Sequence, residues 1–248
     1  MDLKKLAYQN LAALAANPYP GRGLIVGLDE AGENLIQVYW IMGRSANSRN
    51  RIFIEDEDRV GVLKTAPANL SKVQDPSLII YTAMDYDEMT NFHVVTNGHH
   101  TGSVLRDGLE NLAFDWGYEP DAPNFTPRIG ATAFFDDQDN HFAQLALLKK
   151  SPFFEGNQAG EGTDFYFYEL SIFPGCGYCV TTYSGDGDPL PSFTGDPYLL
   201  PLSGSIEDIA QTIWKALDPE NRVSLAVKSI SREGEIGLHI INKYSQVE

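Results

Sequence analysis

Hydrophobic positions along this chain follow two periods in turn. At the N-terminus Leu3, Leu6, Ala7, Leu11 and Leu14 recur at three- and four-residue steps, which predicts an amphipathic helix that Asn17 and Pro18 end. Short apolar runs then take over. GLIVGL and LIQVYWIM, parted by the turn-rich DEAGEN, predict a hairpin; RIFIE and RVGVLKT predict two more strands, and SLIIYTAMDY with NFHVVTNG a further pair across DEMT. The helical period returns at Leu105, Leu109, Leu112 and Trp116, behind Thr101 as candidate N-cap. RIGATAFF, the polar turn DDQDN and HFAQLALLK predict another hairpin, and FYFYELSIF and YCVTTY two strands. Residues 151–164 are Gly-rich and polar and read as a surface loop, while 184–197 carry enough Gly, Pro and Asp to read as an irregular excursion with the character of a lid. Ser205 with Asp208 resembles a capping box opening a helix whose apolar face is Ile206, Ile209, Ala210, Ile213, Trp214 and Leu217. RVSLAVKSI and EIGLHIINK close the chain as a last hairpin.

Many antiparallel strands interrupted by two internal helices leave apolar faces that need cover. An α+β fold, a four-layer αββα sandwich of two mainly antiparallel sheets, buries all of them. With no internal repeat or linker, the expectation is a single domain over 1–248, with 1–19 as a helical extension.

Charge narrows the partners. The 18 Lys and Arg against 34 Asp and Glu leave a formal net charge of -16, which argues against a general grip on nucleic acid or an anionic membrane, since both need a basic face. The chain has no apolar run near the roughly 20 residues that span a bilayer, and its start lacks the order of a signal peptide, so the expected location is cytoplasmic. A small anion held by a local basic pocket stays compatible.

Four stretches could carry chemistry. CGYC, Cys176 to Cys179, leads into a strand rather than a helix N-terminus, which argues against a redox motif; without a second such pair it does not suggest zinc. In NGHHTG, adjacent His99 and His100 point apart rather than onto one metal, so the stretch reads as a turn and helix start, with the Asn97 amide and backbone N-H groups facing a polar ligand. In WGYEPDAPNFTPRIG, Glu119 and Arg128 bracket Asn124 and Thr126, so acid, amide, hydroxyl and base could converge at a sheet end. MGRSANSRNR sets Arg44, Arg49 and Arg51 close together in an acidic chain. It reads either as a solvated basic hairpin end or as an anion cradle in which arginines and Ser45, Asn47, Ser48 and Asn50 offer donors to phosphate.

PGRGLIVG, GRSANSRNR, VTNGHHTG and YEPDAPNFTPRIGA stand in the order and approximate spacing of the archaeal-type IMP cyclohydrolase family, which the chain resembles over about 20–135 and only loosely beyond. The resemblance implies an N-terminal-nucleophile-hydrolase-like αββα fold without that superfamily's processed nucleophile. It implies closure of 5-formamidoimidazole-4-carboxamide ribotide to inosine monophosphate with loss of water, without metal or organic cofactor. Glu119 matches the family's active-site glutamate and Tyr81 its tyrosine, as catalytic groups. Arg51 with Asn50 matches the end of the arginine turn, Arg49 being the competing choice. Arg22, Arg44, Asn97, Asn124 and Arg128 are carried over as substrate-binding residues. The family's lysine aligns with neither Lys215 nor Lys228 unambiguously. The implied partner is a purine ribonucleotide, and a homo-oligomer is compatible. Two other readings stay open: a nucleotide-binding module without catalysis, and an amidohydrolase on the same fold.

Overall fold

A computed structural model of the chain describes residues 2–73, 79–136, 138, 140–155 and 161–246. The N-terminal periodicity becomes helix α1 (Leu3–Ala16), capped by Asp2, which accepts from the Lys5 N-H at 3.0 Å. Strands β1 (Gly23–Leu28) and β2 (Leu35–Met42) form the expected antiparallel hairpin. The apolar run of β2 is nearly unbroken because both of its faces are covered. Leu35, Tyr39 and Ile41 enter the core between the two sheets, whereas Ile36, Val38, Trp40 and Met42 enter the core shared with the helices.

The second sheet is a meander in chain order: β3 (Ile52–Glu55), β4 (Leu63–Ala66), β5 (Thr82–Asp87), β6 (Phe92–Thr96), β7 (Arg128–Phe135), β8 (His141–Lys150) and β9 (Thr163–Leu170). The first sheet has the order β11-β10-β1-β2-β12-β13, built with β10 (Cys176–Thr181), β11 (Tyr198–Pro201), β12 (Arg222–Ile230) and β13 (Ile236–Asn242). All the pairings are antiparallel. The protein is therefore α+β, with two antiparallel sheets packed face to face.

Helix α4 (Ile206–Ala216) has the expected capping box, Ser205 with Asp208, and packs Ile209, Ala210 and Ile213 under the first sheet beside Leu14 of α1. On the outer face of the second sheet lies α3 (Thr101–Asp107), followed by a 3-10 turn over Leu109–Phe114. No described helix is long and apolar enough to cross a membrane.

Several expectations are corrected. The helix proposed through Trp116 breaks at Gly108, whose φ of 86 places it in the left-handed region that side chains disfavour. Thr101 is not the N-cap: His100 holds that position, and the buried Thr101 hydroxyl instead donates to Thr82 O at 2.6 Å. MGRSANSRNR is not a hairpin end, since β2 and β3 belong to different sheets. It is a crossover containing the short helix α2 (Ala46–Arg49), closed by a capping box between Ser45 and Ser48. The strand expected over RVGVLKT is shorter because Asp56 Oδ1 accepts from the Asp58 and Arg59 N-H groups and turns the chain there. Within 184–197 no helix or strand forms, as expected, but the following YLLP becomes β11, which had no separate signal. Part of the loop expected over 151–164, part of DDQDN and the start of SLIIYTAMDY fall outside the described residues.

Candidate active site

The start of β1, the starts of β5 and β7 and the end of β6 meet at one end of the sandwich. At the start of β1 the sequence GRG fixes a single side chain. Gly21 has φ 73, and a Cβ there would come within 2.3 Å of Thr182 Oγ1. Gly23 lies beneath the Trp40 indole, where a Cβ would come within 2.0 Å, and Trp40 Nε1 donates to Gly21 O at 3.0 Å. Only glycine fits at either place, so the chain is clamped on both sides of Arg22.

Arg22 donates through Nη1 to Glu119 Oε1 at 2.9 Å and to Asn97 O at 2.8 Å, and through Nη2 to Glu119 Oε2 at 2.7 Å. Arg128 Nη1 lies 3.8 Å from Glu119 Oε1, its guanidinium 4.7 Å over the Trp116 ring. Burial is the largest influence on Arg22 and works against its charge, but the Glu119 carboxylate together with Tyr81 and Tyr39 outweighs it and holds the Arg22 pKa well above the ordinary arginine value. Burial prevails at Arg128, whose pKa is lowered. Gly98 makes room for this cluster: a Cβ would stand 3.0 Å from Arg128 Nη1 and 3.6 Å from Glu119 Oε1.

These groups border a cleft of about 300 Å³. Arg22, Glu119, Asp121, Thr126 and Tyr183 line one side; Arg44, Ser45, Asn47, Ser48 and Arg51, from the crossover, line the other. A recess of about 30 Å³ shares Arg22 and Glu119 with the cleft and adds Tyr81, Asn97, Gly98, His99 and Arg128. The Tyr81 hydroxyl stands 2.7 Å from that of Tyr39, which is fully buried.

The candidate residues divide by where their polar atoms go. Arg51 lines the cleft while its Nε and Nη2 brace Ser48 O and Met42 O, at 2.9 and 3.1 Å. Arg49 donates instead to Gly43 O and Asn221 Oδ1, and is not among the residues that line the cleft. Of the two arginines the structure brings Arg51 to the cleft. Arg44 also lines it, ion-paired to Asp186 and donating to Gly187 O at 3.0 Å, so the arginine turn is latched to the 184–197 excursion. Asn124 adds a second latch by accepting from the Leu190 N-H at 3.0 Å.

Two amides that the sequence suggested for ligand contact make hydrogen bonds to backbone. Asn50 exchanges hydrogen bonds with the Asn69 backbone, at 2.9 and 2.8 Å, and Asn97 brackets Pro127 O and the Ile129 N-H, both at 2.9 Å. Both are buried and hold the site's walls together. Neither candidate lysine borders the cleft or the recess. Lys215 is exposed on α4, and Lys228 is buried between the sheets near Tyr86. His100 is buried, donates toward Ile129 O and has its pKa pulled to about 3 by burial and Arg128. Cys176 and Cys179 are free thiols buried in β10; burial pushes Cys179 up to about 12, which leaves it unreactive.

Sequence reasoning missed Asp121, Tyr19, Tyr39 and Tyr183. Asp121 stood inside the Pro-rich run already singled out, where a carboxylate beside Thr126 was a usable signal. Tyr183 had none, because its hydroxyl meets Thr126 across 57 residues of chain.

Chemically, the cleft offers cations and neutral donors on one wall, and an arginine-clamped carboxylate with hydroxyl groups on the other. No curated protein matches the chain. A family model described as IMP cyclohydrolase-like protein matches residues 19–234. That match spans most of the 248 residues and every wall of the cleft, so the chain belongs to the IMP cyclohydrolase-like protein family.

Proposed function

We propose that the cleft closes 5-formamidoimidazole-4-carboxamide ribotide to inosine monophosphate. The carboxamide nitrogen forms a bond to the formyl carbon, and the formyl oxygen leaves as water. A carboxamide nitrogen is a weak nucleophile, so the reaction needs its orientation, removal of its proton and polarisation of the formyl oxygen. The observation that carries the reading is the concentration of Arg22, Arg44 and Arg51 in one cleft with the Arg22-clamped carboxylate of Glu119, in a chain of net charge -16. Arg51 and Arg44, with the donors of Ser45, Asn47 and Ser48, suit the ribotide phosphate. Glu119 faces the reacting amide, and Tyr81, in the adjoining recess, serves the formyl oxygen. The two-sheet architecture fits an N-terminal-nucleophile-hydrolase-like fold, and a cytoplasmic location fits the substrate.

Purified protein mixed with the formamido ribotide should yield inosine monophosphate, followed by ultraviolet absorbance, faster than the spontaneous reaction. Absence of acceleration sinks the catalytic reading. One observation favours a second reading, a nucleotide-binding module: both Glu119 oxygens are engaged by Arg22, and no lysine lines the cleft. Tight binding of inosine monophosphate without turnover supports that alternative.

A further inference from the structure

Three cleft residues form a directional chain. Asp121 Oδ1 accepts from the Thr126 N-H at 2.6 Å, and Asp121 Oδ2 accepts from the Thr126 hydroxyl. The same hydroxyl oxygen lies 2.5 Å from the Tyr183 oxygen. A threonine hydroxyl has one hydrogen, and a carboxylate can only accept. Once that hydrogen is given to Asp121, the Tyr183 hydroxyl has to donate its own hydrogen to Thr126. What Tyr183 then has left is lone pairs.

Tyr183 is held firmly in that pose. Its N-H donates to Pro20 O at 3.1 Å, and its ring stacks on Tyr19 at 6.1 Å between centroids. Gly21 admits the ring, since a Cβ there would come within 2.5 Å of it. The phenol feels the charges of Arg22, Asp121 and Glu119, which puts it at the reacting end of the cleft rather than among the crossover arginines alone.

We propose that Tyr183, oriented through Thr126 by Asp121, is a specificity-determining residue whose oxygen acts only as a hydrogen-bond acceptor, selecting ligands that present an N-H donor. Resting on the cyclohydrolase reading above, that donor is the carboxamide N-H of the ribotide. An analogue with no donor there leaves Tyr183 without a partner, and an unsatisfied group of this kind is what gives a site its discrimination.

The test uses two non-reacting ribotides that differ at one group: 5-aminoimidazole ribotide carrying a 4-carboxamide, and the same compound carrying a 4-carboxylic methyl ester. The unaltered protein should bind the carboxamide about ten- to a hundredfold more tightly in calorimetry. Tyr183→Phe should bring the ratio close to one mainly by weakening the carboxamide. Asp121→Asn makes the sharper case. Its Oδ1 must keep the Thr126 N-H, so its Nδ2 donates to the Thr126 oxygen, which frees the Thr126 hydrogen to turn to Tyr183 and lets the chain reverse. Tyr183 then offers its hydrogen to the cleft, and the ester should gain affinity. A carboxamide preference that survives both substitutions in folded protein overturns the proposal. Neutron diffraction on deuterium-exchanged crystals of the free protein provides a check that needs no ribotide. A Tyr183 deuteron lying toward Thr126 supports the proposal, and one directed into the cleft overturns it. If neither ribotide binds the unaltered protein, the cyclohydrolase reading fails, and the neutron map alone decides the orientation of Tyr183.

Discussion

Arg22 and Glu119 face each other through two parallel hydrogen bonds of 2.9 and 2.7 Å, although 97 residues separate them in the chain. The pair joins the first sheet to the segment leading into β7 of the second, so it is at once a fold contact and the centre of the cleft. Removing one partner strands the other charge in a largely buried place. Glu119→Gln should therefore lower stability by about 3 kcal/mol, a melting temperature roughly 6–12 °C lower for a chain of this size, and reduce turnover at least as strongly. Calorimetric melting together with initial rates checks this. A variant that keeps both stability and turnover contradicts the role given to the pair.

Arg51 and Arg49 stand two residues apart and should behave differently. Arg51 faces the cleft, whereas Arg49 braces Gly43 and Asn221. Arg51→Ala should weaken inosine monophosphate by about ten- to a hundredfold, as expected for loss of a charged hydrogen bond to phosphate, and flatten the salt dependence of binding. Arg49→Ala should lower stability and leave affinity within about threefold. Equal losses of affinity in the two variants contradict the assignment.

Tyr81 and Tyr39 share one hydrogen bond, and only Tyr81 reaches the recess. Tyr81→Phe leaves the buried Tyr39 hydroxyl unpaired and should lower stability by about 1–3 kcal/mol, while the double change to Phe should be closer to neutral. Turnover should separate from stability: it falls in Tyr81→Phe and stays low in the double variant. Recovery of turnover along with stability would assign Tyr81 a structural role alone.

How far the chain could be read in advance follows from the range of the interactions. The strand meander and α4 were legible because their signals are local: alternation, a turn, a capping box. The proximity of Glu119, Asn124, Thr126 and Arg128 was legible for the same reason, since they share one short run. Gly108 hid the break in the helix, because a glycine in a helical pattern can be tolerated there or can end the helix. α2 was illegible because four residues carry no period; the Ser45–Ser48 capping box and the backbone bond from Arg49 to Ser45 close it. The bracing of backbone by Asn50 and Asn97 was not legible, because an amide that braces backbone and one that binds ligand look alike in sequence. Tyr183 enters the site, and Tyr39 meets Tyr81 behind it, only through contacts between distant parts of the chain.

Lys228 provides a prediction independent of the cleft. It is fully buried on β12, directly opposite Gln37 of β2, and among the described residues its Nζ has no hydrogen-bond partner, lying instead 4.6 Å over the Tyr86 ring. Burial lowers its pKa to about 7, with Asp85 and Glu55 acting against the shift and Arg59 with it. Between about pH 7 and 10.5 the unfolded chain therefore holds a proton that the folded chain has given up. Stability contributed at this position must rise with pH across that window, because the state binding more protons is favoured as pH falls. Lys228→Met removes the penalty at all pH values and should stabilise the protein at pH 7 by about 3–5 kcal/mol, a gap that narrows by pH 10. Urea unfolding of both proteins at the two pH values measures it, and the difference between them cancels groups that titrate in both. Because Lys228 lies away from the cleft, turnover should survive the substitution. A gap that stays constant from pH 7 to pH 10 contradicts the titration, and lost turnover in a folded variant would return Lys228 to the site.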